Sequence, residues 1–224
     1  MDTQKSKLLR SMAISAGLLA AFAVVGGGLV ALTEQLTRER IVENERRARL
    51  ASLQEILPAD AYDNDLVADT VELEKVSGLN VAAPVVIHRA YLDGQAVAAI
   101  FPLVAPDGYG GPIHLLMGVH VDGRLAGVRV TRHAETPGLG DPIETRRSDW
   151  IHGFEGRRLG EDPDRKWQVR ADGGQFDQFT GATITPRAVV RAVHRGLVYF
   201  DENRSLIFPE DPEEGGQFPV NSSQ

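Results

Sequence analysis

The sequence predicts an α+β fold, in which a mixed antiparallel sheet-and-helix domain follows a single membrane-spanning helix. Three observations predict it. An uncharged run of about 23 residues, Ser11 to Thr33, lies near the N-terminus. Pairs of strand-like segments separated by short Gly-containing turns occupy the middle of the chain. One amphipathic segment, Pro186 to Phe200, comes late, without the βαβα rhythm of a parallel sheet. The 224 residues are 42% hydrophobic and 25% charged, enough for one domain with a sizeable core and an appendage. There is no cysteine, which excludes disulfides, thiolate catalysis and cysteine-ligated metal clusters. The net charge is −7, and residues 1–10 contribute +2 of it (Lys5, Lys7 and Arg10 against Asp2), leaving −9 elsewhere. A chain so acidic argues against a nucleic-acid partner, whose phosphates demand a basic face.

Taken in order, residues 1–10 precede the uncharged run and residues 11–33 form it. At ~1.5 Å per residue the run reaches roughly 35 Å, enough for a hydrocarbon core of ~30 Å. A cleaved signal peptide has a shorter apolar stretch and a prompt cleavage site, so an uncleaved anchor fits better. Its small residues (Gly17, Ala21 and Gly26 to Gly28) suit close approach by other membrane helices. Orientation is not settled by charge. Arg38, Arg40, Arg46, Arg47 and Arg49 follow the run, interleaved with Glu39, Glu43 and Glu45, and large domains translocate largely regardless of such clusters. Residues 34–57 carry Leu36, Ile41, Leu50, Leu53 and Leu57 among charges and read as a stalk helix ended by Pro58.

The body then runs over residues 58–208. Pro84 to Tyr91 and Gln95 to Val104 flank Leu-Asp-Gly, and Ile113 to Val121 and Leu125 to Arg132 flank Asp-Gly-Arg, so each pair predicts a hairpin. Trp167 to Arg170 reads as a further short strand. In Pro186 to Phe200, Val189, Val190, Val193 and Leu197 share one helix face. Residues 209–224 are acidic and rich in Pro, Gly and Ser, the composition of a disordered tail.

One segment carries chemistry: Asp177 to Pro186, DQFTGATITP. It reads as a Gly-containing turn with three hydroxyls, Thr180, Thr183 and Thr185, opening a helix. Thr185 before Pro186 makes a good cap and first-turn pair, whose loss in Thr185→Ala would cost ~1 kcal/mol. The free N–H groups of such a terminus attract phosphate, and Gly181 and Ala182 leave the approach open. A plain helix cap explains the same residues equally simply. No His, Asp or Glu cluster has metal-ligand spacing, so no metal site is expected. His114 and His120 share a strand face, and His133 lies near Glu135, but neither pair makes a complete ligand set. Glu43, Glu45, Asp162 and Asp164 read as solvated charge, and no catalytic carboxylate or nucleophile is expected.

Asp177-x-x-Thr180-Gly181-Ala182-Thr183 resembles the flavinylation motif of FMN-binding domains, Asp-x-x-(Ser/Thr)-Gly-Ala-Thr. In that family a flavin transferase esterifies the phosphate of FMN to the threonine after Gly-Ala, which is Thr183 here. The resemblance extends to His133–Asp141 (HAETPGLGD), Ala105–Val119 (APDGYGGPIHLLMGV) and Ser148–Gly156 (SDWIHGFEG). With the N-terminal anchor, it identifies the chain as similar to G subunits of Rnf/Rsx-type ion-translocating electron transport complexes. The resemblance implies an FMN-binding domain carrying covalent FMN on Thr183, with Asp177, Thr180, Gly181, Ala182 and Thr185 around the attachment point. It also implies Glu135, Thr136 and Leu139 beside the flavin ring, although Thr136-Pro-Gly-Leu-Gly140 reads equally as a tight turn.

In function, the resemblance implies a redox relay without an independent catalytic centre. It would belong to a translocase that couples electron flow between ferredoxin and NAD to ion movement, or that reduces a redox-sensing regulator. Its partners would be the other membrane subunits and the transferase that matures it. Its place would be the bacterial inner membrane, single-pass, with residues 1–10 cytoplasmic and the domain periplasmic. The alternative from the residues alone is an anchored periplasmic binding or scaffold module without flavin.

Overall fold

The computed structural model describes residues 2–74, 76–160 and 167–209. The acidic segment 210–224, and Asp162 and Asp164, lie outside the described residues. Contacts divide the chain into two units, residues 1–49 and 50–224.

The first unit belongs to helix α1 (Asp2–Gln54), which continues into the second unit for its last turn. It has the length and apolarity to cross a membrane: Leu18, Leu19, Phe22, Val24, Val25, Leu29 and Val30 are all exposed to the surroundings. Among the charged residues beyond the apolar run, Arg47 Nε donates to Glu43 Oε1 at 2.8 Å, the i,i+4 pairing that supports an exposed helix. The helix ends at Gln54, four residues before Pro58, and the chain leaves it through turns closed by Ile56 and Leu57 N–H groups on Leu53 O.

The second unit is built on a five-stranded antiparallel meander: β1 (Thr70–Leu73), β2 (Val85–Leu92), β3 (Gln95–Ala105), β4 (Ile113–His120) and β5 (Leu125–Arg132), in that spatial order. The two hairpins stand where the turn residues predict them. Asp93 and Gly94 both have positive φ (51° and 75°), the geometry of a two-residue hairpin whose twist matches its strands. Gly123 (φ 86°) closes the other, with the His120 N–H donating to Arg124 O at 2.8 Å. Strand β1 is an addition to the sequence reading. The predicted strand over Trp167 to Arg170 is a correction: only Val169 bridges, to Phe176, and Arg170–Asp172 is a 3-10 turn. Four residues are too short for alternation to separate a strand from a turn.

Helix α2 (Ile184–Ile207) lies on one face of the sheet against β3 and β4. It buries Val189, Val190, Val193, Leu197 and Phe200 with Phe101, Leu103, Leu115 and Met117. On the opposite face Leu53, Ile56, Leu57 and Leu66 cover Ala90, Ala98 and Ile100. A sheet buried on both faces explains why Ala98 to Ala105 reads as an apolar run rather than an alternating one.

Ile56 approaches the sheet closely. A Cβ on Gly118 would stand 2.4 Å from Ile56 Cγ2, so Gly118 leaves the space that Ile56 fills. Gly118→Ala is therefore expected to lower stability by ~1–3 kcal/mol through overpacking. Urea titration checks this, and adding Ile56→Ala should recover part of the loss.

Candidate functional site

Between β5 and α2 the described residues form no regular strand, and part of this irregular stretch lines a cleft. Three segments converge there: the loop between β3 and β4, the Glu135–Gly140 turn and the start of α2. The cleft is about 280 Å³ in volume. Its lining includes Glu135, Thr136, Leu139 and Gly140 from one side, and Gly181, Ala182, Thr183 and Thr185 from another. Tyr109 and Ile184 complete it.

The segment leading into α2 is held by aromatic packing. Trp150 Nε1–H donates to Asp177 O at 2.8 Å, and the Trp150 ring meets Phe179 edge-on at 5.2 Å. Phe154 and Phe176 stack at 4.5 Å beneath them. The turn Phe179–Ala182 is closed by the Ala182 N–H on Phe179 O at 3.1 Å, with Gly181 at φ 79°, a position that favours glycine. Arg187, in the first turns of α2, grips Asp172 with two bonds of 2.6 and 2.8 Å. The result is a fixed helix start.

That start differs from the reading of Thr185 as cap. The N-cap is Thr183, Ile184 is the first helical residue, Thr185 the second and Pro186 the third. Pro186 is tolerated there because first-turn N–H groups lack intrahelical acceptors. Thr183, partly buried, makes no side-chain capping bond, so its hydroxyl is not committed to the helix. Thr185 is completely buried, and its Oγ donates to Glu135 Oε2. The cost of Thr185→Ala is therefore not a lost cap but a lost hydrogen bond to a buried carboxylate.

Glu135 joins all three segments of the cleft. Its side chain is buried, the residue retaining 5% of its accessible surface. Oε1 accepts the Gly110 N–H at 2.9 Å from the β3–β4 loop, while Oε2 accepts from Thr185 on α2. Each oxygen thus has its own partner, one from the β3–β4 loop and one from α2. Gly140 makes room for this arrangement: a Cβ there would stand 2.8 Å from Glu135 Cβ and 2.9 Å from Thr185 Oγ1.

A second network anchors the same turn to the surface. The Glu135 N–H donates to His133 Nδ1 at 3.1 Å, which leaves Nε2–H to donate to Glu144 Oε1 at 2.6 Å. Glu144 also pairs with Arg146 through both Nε and Nη2. The Arg146 hydrogen bonds first, and the His133 bond second, hold the Glu144 carboxyl down at about 2. The stabilisation is thus present above the unfolded value of 4.5 and is lost as pH falls through about 2. Measured between those values, the urea midpoint should fall less steeply with acid in Glu144→Gln than in the unaltered chain.

The structure therefore brings Thr183, Gly181, Ala182, Thr185, Glu135, Thr136 and Leu139 to one cleft. Asp177 and Thr180 are not in its wall. The Asp177 carboxylate pairs with Arg170 at 2.9 Å, and Thr180 is exposed on the turn. Tyr109 and Ile184 are not singled out by sequence reasoning. The signal for Tyr109 is its setting in Asp-Gly-Tyr-Gly-Gly, a loop whose glycines let it press on Ala134 and Glu135.

Comparison with known proteins gives two family matches and a set of close relatives. The family model described as FMN-binding domain matches residues 108–198, and that of the RnfG N-terminal region matches residues 1–56. The chain is 54% identical over 203 residues to the G subunit of the ion-translocating oxidoreductase complex of Pseudomonas aeruginosa, covering 90% of this chain and 95% of that protein. It is 45% identical over 199 residues to the protein of the same name from Vibrio cholerae, covering 88% and 95%. For the Shewanella loihica protein, also of that name, identity is 42% over 198 residues, covering 88% and 93%.

Proposed function

The chain belongs to the family of G subunits of ion-translocating oxidoreductase complexes, and from that membership we propose that it carries FMN covalently on Thr183. It is a membrane-anchored, FMN-binding electron-transfer subunit of such a complex. The observation that supports Thr183 as the attachment point is its hydroxyl: it stands at the N-cap of α2, in the wall of the cleft, without a capping bond.

The residues present fit the group. The cleft lies just below the ~300–1,000 Å³ range of small-molecule sites. It offers apolar side chains from Tyr109, Leu139 and Ile184 and polar ones from Glu135, Thr136 and Thr183. When bound, FMN supplies the capacity to accept and pass on single electrons. The chain's own residues provide position and electrostatics. Thr183 supplies the oxygen of the phosphoester. The N–H groups of Ile184 and Thr185, with the positive end of the α2 dipole, favour the negative charge retained by that ester. The fixed turn at Gly181 and Ala182 leaves the hydroxyl accessible to a modifying enzyme. Thr136 and Leu139 bound the ring's side of the cleft, and Glu135 keeps the walls together. Asp177 and Thr180 support the motif from outside the wall, as determinants read by the transferase.

In this reading α1 crosses the bacterial inner membrane once over residues 11–33. Residues 1–10 are cytoplasmic, residues 34–57 form a stalk, and the FMN-binding domain, residues 58–208, is periplasmic. Its electrons pass to and from the other membrane subunits, and a flavin transferase completes its maturation. The test is peptide mapping of the full chain co-expressed with that enzyme. The tryptic peptide Ala171–Arg187 should carry the mass of FMN less one water, localised to Thr183. An unmodified peptide, with the transferase active on a control substrate, overturns the assignment.

A further inference from the structure

Tyr109 stands on the cleft with 70% of its surface exposed. Among the described residues its side chain has no hydrogen bond, ion pair or ring contact. Its backbone, in contrast, is held on both sides. A Cβ on Gly108 would stand 2.2 Å from Gly111 O and 2.7 Å from Glu135 Oε1. A Cβ on Gly110 would stand 1.9 Å from Ala134 O, and the Gly110 N–H is bonded to Glu135. Only glycine permits approaches this close, so the loop cannot swing away from the 134–135 segment without losing them. An aromatic ring with no partner is thus presented from a fixed point.

A single exposed aromatic side chain is ordinary on a surface. Tyr109 is not single. Leu139 and Ile184, which share the cleft with it, are 44% and 46% exposed. Three apolar side chains from three separate segments therefore remain open to solvent around one small cavity, whose polar groups are the threonines and Glu135. A ligand that matches this has a broad apolar aromatic face and an anionic end reaching the start of α2.

We infer that Tyr109 is a contact residue for the flavin ring, covering one face of it in the cleft. This rests on the reading that FMN is held at Thr183. Aromatic faces pack in offset or edge-on arrangements with specific energy beyond burial, and such packing also shields a ring from solvent. Tyrosine has a further property that phenylalanine lacks: in contact with an excited flavin it donates an electron and quenches emission.

The experiment uses the full chain in detergent, co-expressed with a flavin transferase, as wild type, Tyr109→Phe and Tyr109→Ala. Covalent flavin is first quantified by absorbance after denaturation. Native emission per mole of bound flavin and its quenching by iodide are then measured. Tyr109→Ala should be several-fold brighter than wild type and more readily quenched by iodide. Tyr109→Phe should also brighten, yet keep most of the protection from iodide. Equal emission and equal iodide access in all three chains overturn the inference, even when flavin loading is normal. A Tyr109→Phe chain as dim as wild type also overturns it. A wild-type chain without covalent flavin, beside a working transferase, instead overturns the underlying reading and is recognised at the first step.

Discussion

Thr183→Ala, co-expressed with a flavin transferase, should run as a dark band under denaturing conditions, while the unaltered chain fluoresces. The loss should be complete rather than partial, because no neighbouring hydroxyl can take over. Thr185 is fully buried and engaged with Glu135, so it faces no modifying enzyme. Thr180 is exposed but stands outside the cleft wall. Folding should hardly register the change. A threonine cap normally contributes ~1 kcal/mol through its side-chain bond, and Thr183 makes no such bond. The expected result is therefore full loss of covalent flavin with a urea midpoint close to that of the flavin-free wild type. Thr183→Ser should restore fluorescence. A glowing Thr183→Ala band sinks the assignment. A dark band that is also unfolded is distinguished by the midpoint.

The residues at issue also show what the sequence makes legible. Both hairpins are readable because Asp-Gly turns stand between β-branched runs, and turn type and strand pairing depend on just those local features. Strand β1 is not, since Thr70–Leu73 is four residues with a charge in the middle and gains its place only by pairing with β2. The cap of α2 stands two residues earlier than the sequence predicts. Proline preference for the first helical position points to Thr185 as cap, but burial of Thr185 against Glu135, a contact 50 residues away in sequence, sets the register instead. The site divides the same way. Thr183 with its Gly-Ala approach is visible as one contiguous motif. Glu135, Thr136 and Leu139 are expected near the flavin only through resemblance, because no local pattern ties them to residue 183. Ile184 carries no signal, and Tyr109 only that of its glycine-rich setting. Their relevance comes from the convergence of three loops, which is a property of the sheet that positions them.

Glu135→Leu should be the most damaging single change within the cleft. The carboxylate accepts one bond from the Gly110 N–H and one from the Thr185 hydroxyl, and both donors are held in place around it. Leucine fills a similar volume but accepts neither. Hydrogen bonds to a charged group are worth roughly 1.5–3 kcal/mol each, and the fully buried Thr185 hydroxyl, left without its partner, adds a desolvation cost that the exposed Gly110 N–H does not. A total loss of about 3–5 kcal/mol is expected, a large share of the stability of an ordinary domain. Glu135→Gln should cost less, since the amide oxygen can still accept from Gly110 and the Thr185 hydroxyl can turn to accept from the amide nitrogen. Thr185→Val combined with Glu135→Leu removes one of the stranded donors, so the double change should be less harmful than the sum of the two. Urea midpoints of the flavin-free chains test the ordering. If Glu135→Leu and Glu135→Gln are equally mild, the carboxylate is not what joins the loop to the helix. The same ordering should appear in flavin loading, because Glu135 is bonded to Thr185, two residues beyond the hydroxyl that must be presented. A cleft whose three walls share one acceptor has a single point of failure. This accounts for a buried carboxylate in a position where an apolar side chain would avoid the desolvation.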